Sequence, residues 1–403
     1  MAREVWITGI GITSSLGEGL DAHWQALAES DPPKPVIDRS IVSPYAVHPM
    51  VPLDLDKQIP KKGDQRQMEN WQRVGTYSAG LAIDDAGMKG DLDLLSRTHL
   101  IVAASGGERD QAADAGILQG IGSAPAPQEF LNERLASDLR PTLFLAQLPN
   151  LLAGNISIVH KVTGSSRTFL GEETAGVSAV EVAARRIRAD QGDIFLVGGT
   201  SIAERKDVLI TLVGGGFCWK GDPISVWARP EQGGGATFGS VGAFLVLEAS
   251  DHAEKRGRRP YAKLGPVLSD RSARKPGQAT ANGERQMKII REAAGNRPLA
   301  VLSGATGMAD ATREERDLLA ALRQRGEVST VRGVANMLGS CLEANFAVEV
   351  GLAALALSRN GFYQPFENET GFEQPLAEPP SAIVATCWGI WRGEGIGLIE
   401  KAG

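Results

Sequence analysis

Cysteine is scarce in this chain. Its 403 residues hold three, Cys218, Cys341 and Cys387, far apart in sequence. Such usage excludes a disulfide framework and a cysteine-based zinc site, so no metal is expected. It fits a reducing, cytoplasmic compartment. Long apolar runs are missing too. The longest is about ten residues, against the roughly 20 a membrane span needs. The opening "MAREVWITGIG" enters a strand directly, without a charged-then-apolar leader. An excess of positive charge is also lacking: the net charge is −6 and the pI about 5.6. That argues against a nucleic-acid partner. Histidine is sparse as well, with five residues: His23, His48, His99, His160 and His252.

Glycine is abundant, at 48 residues. It clusters in turns, as expected where many buried strands are joined tightly. "EVWITGIGITSSLG" reads as a buried strand ending in a glycine turn. Residues 31–65 are rich in Pro and Asp and form an excursion from the core. "MENWQRVGTYSAGLAIDDAGM" is an amphipathic helix, and "HLIVAAS" a buried strand. "RTFLGEE" reads as a strand that leads into a helix presenting Gly176 at its start, followed by the strand "DIFLVGG". After "GAFLVLEASDHAEKRG" the pattern restarts, with helices expected at 284–294 and 314–325, the buried helix "AVEVGLAALALSRNG" and two closing strands. Strands alternate with helices in both halves, which indicates α/β layers. The expected division is residues 1–255 and 256–403.

On these motifs the chain resembles the β-ketoacyl-acyl-carrier-protein synthases, condensing enzymes of the thiolase fold. "VWITGIGITSSLGEGLDAHWQAL" is similar to the family's "VVITGxGxVTPLGxxxxxFWxAL". "LPNLLAGNISIVHKVTGSSRTFLGEETAG" is similar to "xxNMxAGxISIxxGxxGPxxTxxTACSSG", and the order continues through "GAFLVLEASDHAEKRG" and "AVEVGLAALAL". The resemblance implies five layers, α-β-α-β-α, from two pseudo-repeated halves. It implies dimers paired through the strand before the cysteine's elbow, here Arg167–Glu172. It implies no cofactor, only phosphopantetheine carried as substrate on an acyl carrier protein.

The family's chemistry uses a cysteine thiolate at a helix N-terminus, an oxyanion hole, two histidines and a lysine. By resemblance the cysteine falls on Gly176. The first histidine, of "HGTxTxxxDxxE", falls on Gly304 in "GATGMADATREE", where Thr306 and Glu315 keep their places. The second, of "KxxxGHxxGAAG", falls on Ser340 and its lysine on Ala335. The glutamate of "GEGAG" falls on Ser240. The gating loop "SFGFGGxN" becomes "CWGIWRGEG", with Trp388, Gly389, Ile390 and Trp391 lining or closing an acyl tunnel. Cys341 is expected near the pocket as a small buried hydrophobe, and Ser178 as a structural serine, since a serine nucleophile needs a base. His160 is expected to be satisfied or on the surface. The basic groups Lys61, Lys62 and Arg66, and Arg271, Arg274 and Lys275, are solvated loops or docking points for an acidic carrier protein.

The expected function is that of a condensation-inactive synthase homologue in fatty acid or polyketide-type biosynthesis. It would act as a chain-length-factor-like partner of an active synthase. The alternatives are an acyl-handling acyltransferase, hydrolase or decarboxylase using Cys341, Ser340 or the helix N-terminus, or a non-catalytic carrier-binding homodimer.

Overall fold

The computed structural model describes residues 3–139, 143–390 and 392–402. Among the described residues, ten strands build the main sheet, and a short one, Gly17–Glu18, is appended to the first. They are β1 (Val5–Ser14), β2 (His99–Ala103), β3 (Ser166–Phe169), β4 (Ile194–Ser201) and β5 (Val241–Ala249). The second half supplies β6 (Ala262–Asp270), β7 (Leu299–Ser303), β8 (Val328–Gly333), β9 (Ala382–Cys387) and β10 (Glu394–Glu400). Their order is β8-β7-β9-β10-β6-β1-β5-β4-β2-β3. Within each half the order is third, second, fourth, fifth, first. The halves meet where β1 pairs antiparallel with β6.

The strands are apolar because both faces are covered. Helices α1 (Asn70–Asp85) and α2 (Leu151–His160) cover the outer face of the first half. Helix α3 (Glu172–Arg188) follows β3, and α4 (Gln278–Ala293) and α5 (Ala309–Gln324) cover the outer face of the second half. Helix α6 (Asn345–Ser358) lies with α3 between the half-sheets, where Val177, Ala183, Phe346 and Val350 share one core with Leu245, Leu264 and Ile383. This is the expected five-layered arrangement. Every residue of α6 from Asn345 to Leu357 is buried, as expected of a helix apolar on all sides.

Two local expectations change. The excursion at 31–65 is partly regular: Asp38–Val42 and Tyr45–His48 form a small sheet with Phe238–Gly239. The strand before α3 ends at Phe169, so Glu172 and Glu173 belong to the helix. Gly171 turns the chain with φ 121°, and Glu172 follows at φ 45°. A non-glycine residue in that region is strained, and such strain is characteristic of elbows that present a side chain at a helix start.

Candidate active site

The elbow presents Glu173, not Gly176. Glu173 is 1% exposed, and its Oε1 lies 3.5 Å from the Ser340 hydroxyl, which donates to it. The peptide N–H groups of Glu173 itself and of Ile390 in the gating loop favour its charged form, an effect that burial outweighs. Gly176 lies almost one turn further along α3, packed on the segment that leads into α6. A Cβ there would stand 2.7 Å from the Glu343 carbonyl oxygen and 3.5 Å from Phe346 Cβ. Its lack of a side chain is therefore a packing requirement, and the placement of the cysteine position on Gly176 is corrected. Set end to end, the family string "…TxxTACSSG" and this chain's "…TFLGEETAG" already place the final glycine on Gly176 and the cysteine on Glu173.

The other positions divide: Ser340 stands against Glu173 and Gly304 against Glu349, whereas Ala335 lies apart. Ser340 faces Glu173 and is 1% exposed. Gly304 follows β7, and a Cβ there would meet the Thr386 carbonyl oxygen at 2.6 Å, and Asn345 Nδ2 and Glu349 Oε1 at 2.7 Å each. The Asn345 amide donates to Glu349 at 2.7 Å. That pair fills the space a side chain at 304 would need. Ala335 packs with Val226, Trp227 and Val331 in the outer core of the second half. Thr306 is buried and accepts from the Met308 N–H at 3.3 Å, shaping the turn before α5.

Sequence reasoning missed the dominant feature, a cluster of buried carboxyls. Glu173, Glu315, Glu343 and Glu349 are each at most 4% exposed. Burial pushes the first three up to about 7, and Glu349 well above its usual range. Charge repulsion from Glu173 raises Glu343 and Glu349 further, and that from Glu315 raises Glu349. Glu315 is steadied by the hydroxyls of Ser303 at 2.8 Å and Thr386 at 2.5 Å. Taking a carboxylate out of water without a cation favours its neutral form. One signal was visible in sequence: Glu349 is the lone charge inside the apolar helix "NFAVEVGLAALALS".

The thiols are inert in this setting. Cys341 is fully buried, and its Sγ donates to the Leu338 and Gly339 carbonyls. Burial, then the charges of Glu349 and Glu173, push the thiol far up, and Cys387 is raised similarly. A thiolate nucleophile needs the opposite environment. The histidines are engaged elsewhere: His23 with Ser14 and Gly19, His99 with Ser165, His160 with the Thr76 carbonyl, and His252 with Glu248. His160 is thus satisfied, and burial pushes it down to about 4.

The gating loop differs from expectation. Trp388 turns outward from the centre and packs in the outer core of the second half, against Gly283 and Leu318. It lines no central tunnel. Gly389 has φ 58° and sits against Glu173 Oε2. Ile390 packs with Phe238, Leu342 and Val47. Trp391 lies outside the described residues.

Of the basic groups, Arg274 is corrected. Its Nε lies 3.1 Å from the buried carboxylate of Glu394, and its Nη2 donates to the Gly393 carbonyl at 3.2 Å. It clamps the end of the gating loop. Arg271 and Lys275 remain exposed, and Arg271 joins Ser272, Ala273 and Arg392 around a cleft of about 520 Å3. Lys61, Lys62 and Arg66 are exposed, with Lys62 paired to Asp56 at 2.5 Å. Ser240 is tied to Glu204 and to the Ala203 N–H. Among the described residues no helix is long and apolar enough to cross a membrane.

Known proteins share this architecture. The family model described as "Beta-ketoacyl synthase, N-terminal domain" matches residues 2–253. A 3-oxoacyl-[acyl-carrier-protein] synthase 2 of Rhizobium meliloti (strain 1021) is 27% identical over 281 residues, covering 65% of this chain and 63% of the relative. The chain thus spans less than two thirds of that relative's length. The synthase 2 of Staphylococcus aureus (strain COL) is 21% identical over 367 residues, covering 88% and 86%. Among solved structures, the ishigamide ketosynthase/chain length factor superposes with a TM-score of 0.79 at 18% identity over 100% of both chains. A β-ketoacyl synthase from Burkholderia phymatum STM815 gives 0.74 at 16%, again over 100% of both. These superpositions establish the thiolase fold, and with the matched N-terminal domain they show that this chain belongs to the β-ketoacyl synthase family.

Proposed function

We propose that this chain is a synthase homologue of fatty acid or polyketide-type acyl chain biosynthesis that does not itself condense, and that it works beside an active synthase as a chain-length-factor-like subunit. Glu173 carries this proposal. Condensation needs a thiolate to hold the acyl group as a thioester, and a carboxyl stands at the elbow. It needs peptide N–H groups aimed at a developing oxyanion. Here the peptide N–H groups of Glu173 and Ile390 act on the Glu173 carboxyl and favour its charged form. It needs side chains to stabilise the enolate formed on decarboxylation. Gly304 has none, and Ser340 offers a hydroxyl committed to Glu173.

Pairing with a second subunit is supported by β3. It ends the sheet order, and its outer edge has no partner strand among the described residues. Unpaired strand edges favour augmentation by another chain. Ile158 and Leu170 beside it are 59% and 62% exposed. One structural neighbour is named a ketosynthase/chain length factor, and another is an acyl-carrier protein in complex with its ketosynthase. An acyl carrier protein is accordingly the second partner, with Arg271, Lys275 and the 61–66 cluster as docking charges.

The test is co-expression with an active synthase of the same acyl pathway, followed by native mass spectrometry and product analysis. A heterodimer and an altered distribution of chain lengths are expected. A homodimer alone, with unchanged products, overturns the proposal.

A further inference from the structure

The segment 339–344, which leads into α6, combines backbone strain with a buried acid. Gly339 has φ 72° and Leu342 φ 41°. Leu342 is a non-glycine residue in the left-handed region, which is costly to hold. Leu342–Ala344 then makes a single 3-10 turn before α6 begins. The turn packs on α3, β4, β5 and α6, and it does so through glycines. The Glu343 carbonyl oxygen lies 2.7 Å from where a Cβ of Gly176 would stand and 3.0 Å from that of Gly199. The segment is tied by few peptide bonds: the Ser340 N–H donates to the Thr237 carbonyl at 2.8 Å and the Cys341 N–H to Asn345 Oδ1 at 3.3 Å.

The acid on this segment is Glu343. It is 4% exposed, and its Oε2 has no hydrogen-bond partner, as is also true of Oε2 in Glu315 and Glu349. A buried orphan oxygen costs less on a neutral acid than on a carboxylate. The surrounding charges add to that difference. From α3, Glu173 and Glu172 raise Glu343. From α6, Glu349 acts with Glu173 on the Cys341 thiol of the same segment, and Glu315 of α5 in turn raises Glu349. β4 carries no charged residue, and the one on β5, Glu248, is paired with His252 and Arg256. His48 of the small sheet stands against Gly339, and burial, then the charge of Arg229, push it down to about 3, so it is neutral. Two cations are within reach. Arg205 acts on Glu343, and Arg274 on Glu173 and Glu315. Each is already committed, Arg205 to Asp207 at 2.7 Å and Arg274 to Glu394 at 3.1 Å, and burial outweighs them both.

We infer that the segment 339–344 is a pH-sensitive latch: with its acid cluster protonated it stays packed on α3 and β4, and ionisation of the cluster releases it. Release uncovers Ser340 and Glu173, so access to the elbow follows pH. The direction comes from linkage. Glu343 and Glu173 ionise at about 7 when packed, against 4.5 when free. Opening is therefore favoured progressively as pH rises between those values and levels off above the upper one. One linked proton gives at most about tenfold per pH unit.

Hydrogen exchange of the whole chain, read by mass spectrometry at about pH 5 and about pH 7.5 and corrected for the intrinsic pH dependence of exchange, tests the latch. Protection of a peptide covering 339–345 should fall at least ~10-fold at the higher pH, while β1 changes less than ~3-fold. The fall should shrink at least ~3-fold in Glu343→Gln, with Glu349→Gln as the second variant. Protection that is constant or rises with pH overturns the inference. So does a loss shared equally by β1, which would be global unfolding, or a fall unchanged in the variants that fold. If neither variant folds, the parent's profile against β1 decides. The result does not depend on whether the chain condenses or pairs.

Discussion

Replacing Glu173 by Gln tests the buried carboxyls through the pH dependence of stability. Burial raises this group from 4.5 to about 7. An acid whose folded pKa is raised binds its proton more tightly in the folded state, so the fold loses stability as pH rises from the unfolded value through the folded one. Integrating between those two values gives a penalty of ~1.4 kcal/mol at about pH 5.5 and ~3.3 kcal/mol at about pH 8. Glutamine keeps the shape and carries no such penalty. The stability gap between variant and parent should therefore widen by ~2 kcal/mol over that range. With an unfolding entropy of ~2.1 cal/mol/K per residue, this corresponds to ~2 °C in Tm for a chain of this length. Glu343 and Glu349 interact with the same charge, so ~2 kcal/mol is an upper figure. Thermal unfolding followed by circular dichroism at both pH values measures it. A gap that stays constant, or narrows as pH rises, would refute the assignment of Glu173 as a buried, proton-holding group.

Three further outcomes follow from packing. Gly176→Ala places a methyl 2.7 Å from the Glu343 carbonyl oxygen and should destabilise by ~1–3 kcal/mol in chemical denaturation; an unchanged midpoint would mean that α3 and the segment before α6 are not in contact there. Trp388→Ala should cost ~3–5 kcal/mol, as emptying a core does, and little loss would return Trp388 to the pocket mouth. Cys341 in the native chain should react with a thiol-directed alkylating reagent at least ~100-fold more slowly than in denaturant; equal rates by mass spectrometry would contradict its burial.

The layers were legible because buried strands announce themselves as short apolar runs. "VWITGIGITS", "HLIVA" and "AFLVLEA" form β1, β2 and most of β5. Ordered motifs also pointed to Gly304 and Ser340, which stand against Glu349 and Glu173, and to Ala335, which packs in an outer core instead. The elbow was misread by three residues because a glycine at the expected helix start invites alignment, whereas the true boundary depends on Gly171 and Glu172 adopting positive φ. Side-chain direction was the second loss. Trp388 belongs to the gating loop and Arg274 to a distant basic run, but the first packs into an outer core and the second is drawn inward by Glu394. The acid cluster escaped because glutamate on a helix ordinarily faces water. Only the fold brings Glu173, Glu315 and the Glu343–Glu349 stretch together from three separate segments.

The most direct measurement of the central claim is intact-protein mass spectrometry of the purified chain after incubation with an acyl-loaded carrier protein and malonyl-loaded carrier protein, together with analysis of the products. The chain alone should gain no acyl mass and release no β-ketoacyl product. Glu173→Cys should gain the acyl mass at the helix N-terminus and still condense nothing, because Gly304, Ser340 and Ala335 supply no group for decarboxylation. A β-ketoacyl product from either protein would contradict the account.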